Sequence, residues 1–201
     1  EQMDVDNYLE YFCANMYLAN SLYGSDYVTA WRTDSAGDGE YEDGRWRYLM
    51  PRMDGSMANS ASSRLSTDSI DSYLMPSVTE DAFFRSLMQN EEFRTKLQST
   101  MERMAAEVFA PEKAEKVLND LTVARRKATV NNYRRFVGNM DDSAYTREAA
   151  NLLEFFQNRG EFILKYTEEE VSGERSVDTP AEETMEQDNT VNQVSEDGTD
   201  E

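Results

Sequence analysis

Apolar positions recur with helical spacing along most of the first 170 residues, interrupted by one short segment of strand character. From about residue 6 to residue 22, apolar side chains lie three and four positions apart, which predicts a helix. Asp4 or Asp6 can cap its first turn.

A β-hairpin is predicted next. Residues 27–33 and 45–50 are rich in aromatic residues, and a stretch rich in Gly and Asp separates them. Pro51 removes a backbone donor and ends the second strand. In this hairpin we expect Trp31 and Trp46 to occupy paired positions and to pack.

Beyond a polar loop over residues 55–79, the helical spacing returns. It predicts four further helices that begin near residues 79, 91, 111 and 143, the third extending towards Phe136 and the last ending near Tyr166. The faces expected to form the core are Phe83, Phe84, Leu87 and Met88; Phe93, Leu97, Met101, Met104 and Val108; Val117, Leu121 and Ala124; and Ala149, Leu152, Leu153, Phe156, Phe162 and Ile163. The predicted fold class is α+β, mostly helical.

Charge separates a domain from a tail. Of the net charge of −20, most lies in residues 168–201, which hold 13 acidic residues and one basic residue. Such a composition cannot bury enough apolar area to offset chain entropy. We therefore predict one domain over residues 1–170 and a disordered acidic tail over residues 171–201.

Composition excludes several classes of function. The acidic excess argues against nucleic-acid binding, and the chain has no apolar run long enough for a membrane span. It has no histidine and one cysteine, Cys13, which rules out Ser-His or Cys-His catalysis, zinc sites built from these residues and an internal disulfide. Cys13 lies among apolar residues, so we expect it to be buried.

The acidic sequence contains one basic cluster. It comprises Arg125, Arg126, Lys127, Arg134 and Arg135. A solvated helix face is the ordinary interpretation. A contact with phosphate or an acidic partner is the alternative, and the chain's own acidic tail could also be attracted in a salt-sensitive way.

The residues best suited to chemistry flank the predicted hairpin. Asn20 ends the first helix, and Asp26 stands in the turn towards the first strand. The order Trp-Arg-Tyr at residues 46–48 leads to Arg-Met-Asp at residues 52–54. Asn20 is also typical of a helix C-terminal cap, and Asp54 before Gly55 is typical of a turn.

This order resembles the central part of the CotH kinase family, a group of spore-coat atypical protein kinases. There a helix ends in an Asn-x-Asp turn, an Asn follows shortly, and a Trp-Arg-Tyr type strand leads to an Asp-x-Asp pair. The resemblance covers about residues 4–170, and a terminal Phe-x-x-x-Arg element is matched by Phe155 and Phe156 to Arg159. It implies a kinase-like C-terminal lobe with a small β-hairpin and a helical bundle.

The resemblance also implies a site for Mg²⁺ and ATP, with altered residues. The turn Asp of the family falls on Leu22, its Asn on Asp26, and the first Asp of the pair on Arg52. Leu22 and Arg52 thus stand at substituted catalytic positions, Asn20 and Asp26 would contact the cofactor, and Asp54 would hold the metal. Arg52 would oppose a metal ion by like-charge repulsion.

Two functional hypotheses follow. The first is the C-terminal part of a CotH-like kinase, whose parent transfers phosphate from Mg-ATP to protein hydroxyls, while this chain alone is inactive. The resemblance implies Mg²⁺ and ATP as cofactors, and the alternative is that this chain binds neither. We expect a longer parent, because the chain opens on Glu1 directly before a helix and lacks a Gly-rich phosphate loop. The second is a degenerate, non-catalytic interaction module with a surface or coat protein as partner. The family resemblance implies a spore coat, cell envelope or extracellular location.

Overall fold

A helix buried on almost all sides, α1, organises the molecule. The computed structural model describes residues 2–23, 28–50, 52–57, 64–70, 82–138 and 142–174. Its elements are α1 (Val5–Tyr17), β1 (Thr29–Trp31), β2 (Arg47–Leu49), α2 (Ala82–Met88), α3 (Glu91–Arg103), a π-helical segment (Met104–Val108), α4 (Pro111–Phe136) and α5 (Asp142–Ser172). Across these residues the chain is mostly helical with one two-stranded antiparallel sheet, which confirms the predicted fold class.

Hydrogen bonds at both ends define the limits of the first helix. Asp4 caps it, and its side chain accepts a hydrogen bond from the Asn7 N–H at 3.0 Å. The predicted end near residue 22 is wrong, because Ala19 adopts a left-handed conformation with φ of 47°. The Ala19 N–H then donates to the Met16 carbonyl and the Asn20 N–H to the Asn15 carbonyl, a Schellman motif that ends the helix at Tyr17.

Aromatic stacking fixes the neighbours of α1. The Phe12 ring stacks on Phe84 of α2, with 4.6 Å between centroids, and Tyr17 stacks on Phe109 at 4.5 Å. Phe109 follows the π-helical segment, and its ring also stacks on Phe156 of α5. Cys13 is buried, as predicted, and burial raises the pKa of its thiol.

Arg159 of α5 joins the end of α1 to the loop at residues 64–70. Its side chain has no exposed surface. The guanidinium donates to the carbonyls of Met16 and Tyr17 at 3.0 and 2.9 Å, and to those of Leu65 and Thr67 at 2.9 and 2.6 Å. A fifth bond goes to the Ser69 hydroxyl, and burial lowers the pKa of Arg159 to about 10.

The hairpin is shorter than predicted and pairs differently. Its register places Trp31 opposite Arg47, so the predicted Trp31–Trp46 pair is wrong. Trp46 instead forms a parallel bridge with Met3, because its N–H donates to the Gln2 carbonyl at 2.9 Å. The Arg32 guanidinium lies 4.9 Å from the centre of the Trp46 ring, which supplies the cation–π contact at this edge.

Some predicted core faces are correct and others are not. Phe93, Leu97, Met101 and Met104 are buried as predicted, whereas Val108 is 45% exposed. In α4 the predicted face is also wrong, since Val117 and Leu121 are 55% and 44% exposed and Ala124 is exposed. The helix contacts α5, and its buried residue is Val130, which the predicted face does not include. Periodicity identifies a face but cannot say which neighbour covers it.

The last helix continues beyond its predicted end. It reaches Ser172, and an ion pair between Lys165 and Glu169 at 3.6 Å supports its last turns. From residue 175 the predicted acidic tail lies outside the described residues, as does the predicted helix start at residues 79–81. None of the described helices combines the length and apolar content needed to cross a membrane.

Arg159 provides a direct test of this arrangement. Arg159→Met keeps the bulk of the side chain but removes the donor from the buried Tyr17 carbonyl and from the partly buried Thr67 carbonyl. It also removes one donor from the Met16 carbonyl, which keeps the Ser69 hydroxyl and the Ala19 N–H. We expect the free energy of unfolding, measured by urea denaturation, to fall by at least about 3 kcal/mol.

Arg103→Met is the matched control. Arg103 pairs with Glu10 at the surface, where the two side chains are 42% and 52% exposed, so its loss should cost less than about 1 kcal/mol. Equal losses in the two variants would contradict the role assigned to Arg159.

Candidate functional site

Two segments that the sequence singled out lie against each other. They are the turn at residues 20–23 after α1 and the segment at residues 52–57 after β2, and we call the contact between them the junction. The Ser21 N–H donates to the Gly55 carbonyl at 3.2 Å, and the Met57 N–H donates to the Leu18 carbonyl at 2.9 Å. The structure therefore brings the segment that holds Asn20 and Leu22 next to the one that holds Arg52 and Asp54. Asp26 lies outside the described residues.

Asn20 serves as a structural connector between the two segments. Its side chain is buried, and its Nδ2 donates to Asn15 Oδ1 at 2.7 Å and to the Arg52 carbonyl at 3.0 Å. Its Oδ1 accepts from the Leu22 N–H at 3.2 Å. Both ends of the amide are thus engaged within the protein, as expected for a buried polar group.

Gly55 allows the close approach. A Cβ atom at this position would lie 2.7 Å from Leu22 Cγ, 2.9 Å from Asn20 Oδ1 and 3.0 Å from Ser21 Oγ. These distances are below normal van der Waals contact, so a larger residue would push the segments apart. The turn that Asp54 and Gly55 predicted is present at this point.

Arg64 is a second connector, which the sequence reasoning missed. Its Nη1 donates to the Ala19 carbonyl at 3.0 Å and to the Gly55 carbonyl at 2.7 Å. One cation therefore bridges the end of α1 and the segment after β2. An isolated arginine in a polar loop gives no sequence signal for this contact.

Arg52 and Asp54 form a bidentate ion pair at the surface. Arg52 Nε donates to Asp54 Oδ1 at 2.6 Å, and Nη2 donates to Oδ2 at 2.5 Å. The hydrogen bonds from Arg52 lower the pKa of the Asp54 carboxyl to about 2. Both oxygens of the candidate metal ligand are therefore held by a permanent cation.

These contacts do not fit a magnesium site. Mg²⁺ needs oxygen ligands in near-octahedral geometry, and a protein usually supplies one or two carboxylates. Here Asp54 is paired with Arg52, Asn20 is engaged by backbone and side chain, and Leu22 has no polar atom on its side chain. In the part of the chain that the structure describes, no group of three or more acidic or cysteine residues could hold a metal ion.

The junction at Gly55 predicts opposite effects for two glycine substitutions. Gly55→Ala should lower the free energy of unfolding by roughly 1–3 kcal/mol, because its Cβ collides with Leu22 and Asn20. Gly160→Ala in α5 should raise it by about 0.5–1 kcal/mol, since its nearest neighbour is Ala105 Cβ at 3.9 Å. Thermal or urea unfolding measures both, and a neutral Gly55→Ala variant would count against the close junction.

The Arg52–Asp54 pair predicts a shifted titration. Carbon NMR should give Asp54 a pKa of about 2, and Arg52→Gln should return it towards about 3.9. A carboxyl with a lowered folded-state pKa contributes stability above its ordinary pKa and loses it as the pH falls through about 2. Arg45→Gln, which alters the cation beside Asp43, should leave the Asp54 titration unchanged.

Comparison with known proteins places the chain in a family. No curated protein and no solved structure matches it. The family described as CotH kinase protein matches residues 1–163. That range contains α1, the hairpin, both segments of the junction and Arg159. The chain belongs to the CotH kinase protein family.

Proposed function

We propose that this chain is the C-terminal lobe of a CotH-type kinase domain that does not itself transfer phosphate and acts as a non-catalytic interaction module. Family membership supplies the kinase-related ancestry. Leu22 and the Arg52–Asp54 pair at the junction argue against phosphate transfer from Mg-ATP. The partner class is protein, and the spore coat or cell envelope is the setting that the family implies.

The ion pair between Arg52 and Asp54 is the observation that carries this proposal. Phosphoryl transfer depends on cations that neutralise the phosphates and on carboxylates that hold those cations. At this position a guanidinium sits on both carboxylate oxygens, with N–O distances of 2.6 and 2.5 Å. A metal ion would have to displace Arg52 and then remain beside its charge.

The position of Leu22 supports the same conclusion. A residue that orients the attacking hydroxyl needs an acceptor atom within hydrogen-bond distance of it. By resemblance, the turn Asp of the family falls on Leu22, whose side chain fills space against Gly55. It packs the junction and cannot accept a proton.

An interaction role agrees with apolar residues at one end of the hairpin. Val28, Leu49 and Met50 are 49%, 47% and 37% exposed, and Thr29 pairs with Leu49 at this end. Successive strand residues point to opposite faces, so Leu49 and Met50 expose apolar surface on the two sides of this end. Exposed apolar surface of this kind is available for contact with a protein partner.

An active kinase parent is the competing candidate. It is favoured by the family match over residues 1–163 and by the retained Asn20 and Asp54. In that case Asp54 would leave Arg52 when a nucleotide binds, and residues outside this chain would supply the phosphate contacts.

Calorimetric titration of Mg-ATP distinguishes these candidates. We expect no binding heat for the unaltered chain, and no transfer of labelled phosphate to an added protein, because Arg52 holds Asp54. Heat that disappears in Asp54→Ala and persists in Asp120→Ala would overturn the proposal, since Asp120 is an exposed carboxylate in a comparable pair with Lys116.

The double variant Leu22→Asp with Arg52→Asp tests the cause. If the two substitutions account for the lost site, this variant should gain Mg-ATP binding that a further Asp54→Ala change removes. If the double variant shows no binding heat with Mg-ATP while circular dichroism shows an intact fold, other residues of the chain account for the lost binding.

A further inference from the structure

One face of α4 lines a groove with a basic rim. The groove has a volume of about 320 Å³, and the described residues that line it are Val123, Arg126, Lys127, Val130, Asn131 and Arg134. Their spacing of three and four places them on a single face of the helix. Val130 is 3% exposed and forms the floor, whereas Val123 at the end of the groove is 82% exposed. The groove thus combines one exposed apolar side chain, Val123, with a positively charged rim.

The groove lies in the most basic part of an acidic chain. Residues 121–140 contain five basic residues and no acidic residue, although the whole chain carries −20. Arg125 and Arg135 flank the groove along the same helix, and both are exposed. Clustered charges of one sign attract segments of the opposite sign over about a Debye length.

We propose that the acidic segment 175–201 of the same chain binds in this groove. The segment contains nine acidic residues and one basic residue, which complements the basic rim. Apolar residues interrupt its acidic positions and can contact the exposed Val123; they are Val177, Met185, Val191 and Val194. Charge would bring the segment to the groove, and the valines would supply short-range contact.

The segment is long enough to reach. Phe109, which precedes α4, stacks on Phe156 of α5. At 1.5 Å per residue, the path along the helices from Ser172 to Phe156 and from Phe109 to Arg126 is about 50 Å. An extended chain covers this in about 15 residues at 3.3 Å each. Residues beyond about 187 can therefore lie over Arg126, and residues beyond about 191 can lie over Arg134, which is about 12 Å further along α4.

Attachment favours this occupant over others. A segment joined to its site by a short linker has an effective concentration of the order of millimolar, which an unlinked acidic partner must match. Nucleic acid would also meet the repulsion of the chain's net charge of −20.

Paramagnetic NMR on the full chain tests the proposal. A nitroxide on Val194→Cys reports where the segment lies, and Cys13 will not react because it has no exposed surface. At roughly 0.01 M salt, where the Debye length is about 30 Å, we expect the amide signals of Val123 to Arg134 to lose intensity. At 1 M salt, where it is about 3 Å, the signals should recover.

Charge variants identify the contacts. Arg126→Gln, Lys127→Gln and Arg134→Gln together should restore the signals at low salt. The control Lys113→Gln, Lys116→Gln and Arg147→Gln makes the same change of charge outside the groove and should leave the broadening intact. Neutralising Glu196, Asp197 and Asp200 to Gln or Asn gives a second variant that does not touch α4, and it should also restore the signals.

Three outcomes would overturn the proposal. One is unchanged signals across α4 at low salt. Another is broadening that survives both 1 M salt and the groove variant. The third is broadening of isotope-labelled chains by separate nitroxide-labelled chains, which would place the segment on a second copy.

Discussion

The buried guanidinium of Arg159 is the contact on which the rest of the fold depends. An α-helix leaves its last carbonyls without intrahelical donors, and a cation at this end is also favoured by the helix dipole. Arg159 supplies donors to Met16 and Tyr17 and, from the same side chain, to the loop at residues 64–70. It therefore sets where α1 ends relative to α5. The turn with Asn20 and Leu22 follows directly from that end.

At the junction beyond α1, the residues that hold the fold together are different from the residues at the predicted site. Asn20, Gly55 and Arg64 hold the two segments together through hydrogen bonds and close contact. None of these contacts involves the side chain of Arg52 or Asp54. Arg52 and Asp54 lie at the exposed edge, where substitutions alter electrostatics with little effect on packing. A chain can therefore keep the family's fold while its site residues change. Membership of the CotH kinase family and the proposed lack of transfer are compatible for this reason.

The sequence predicted the elements better than their contacts. Helical spacing located α2, α3, α4 and α5, and Pro111 stands at the first turn of α4 as predicted. The end of α1 was missed, because Ala19 is not a residue that normally signals a left-handed cap. The predicted partner of Trp46 in the hairpin is Trp31, but Trp46 forms a bridge with Met3, which precedes α1. Resemblance pointed to Arg159, whereas nothing in the sequence indicated Arg64.

What the sequence determined by itself is the order of helices and strands, the acidic end of the chain and the identities at the site positions. These follow from local spacing and composition, which act between residues close in the chain. The tertiary structure alone decided that Asn20 is engaged on both ends, that Arg52 holds Asp54, and that α4 turns Val117 and Leu121 to solvent. Such outcomes depend on which distant segments meet, because burial and hydrogen-bond satisfaction are properties of the packed whole.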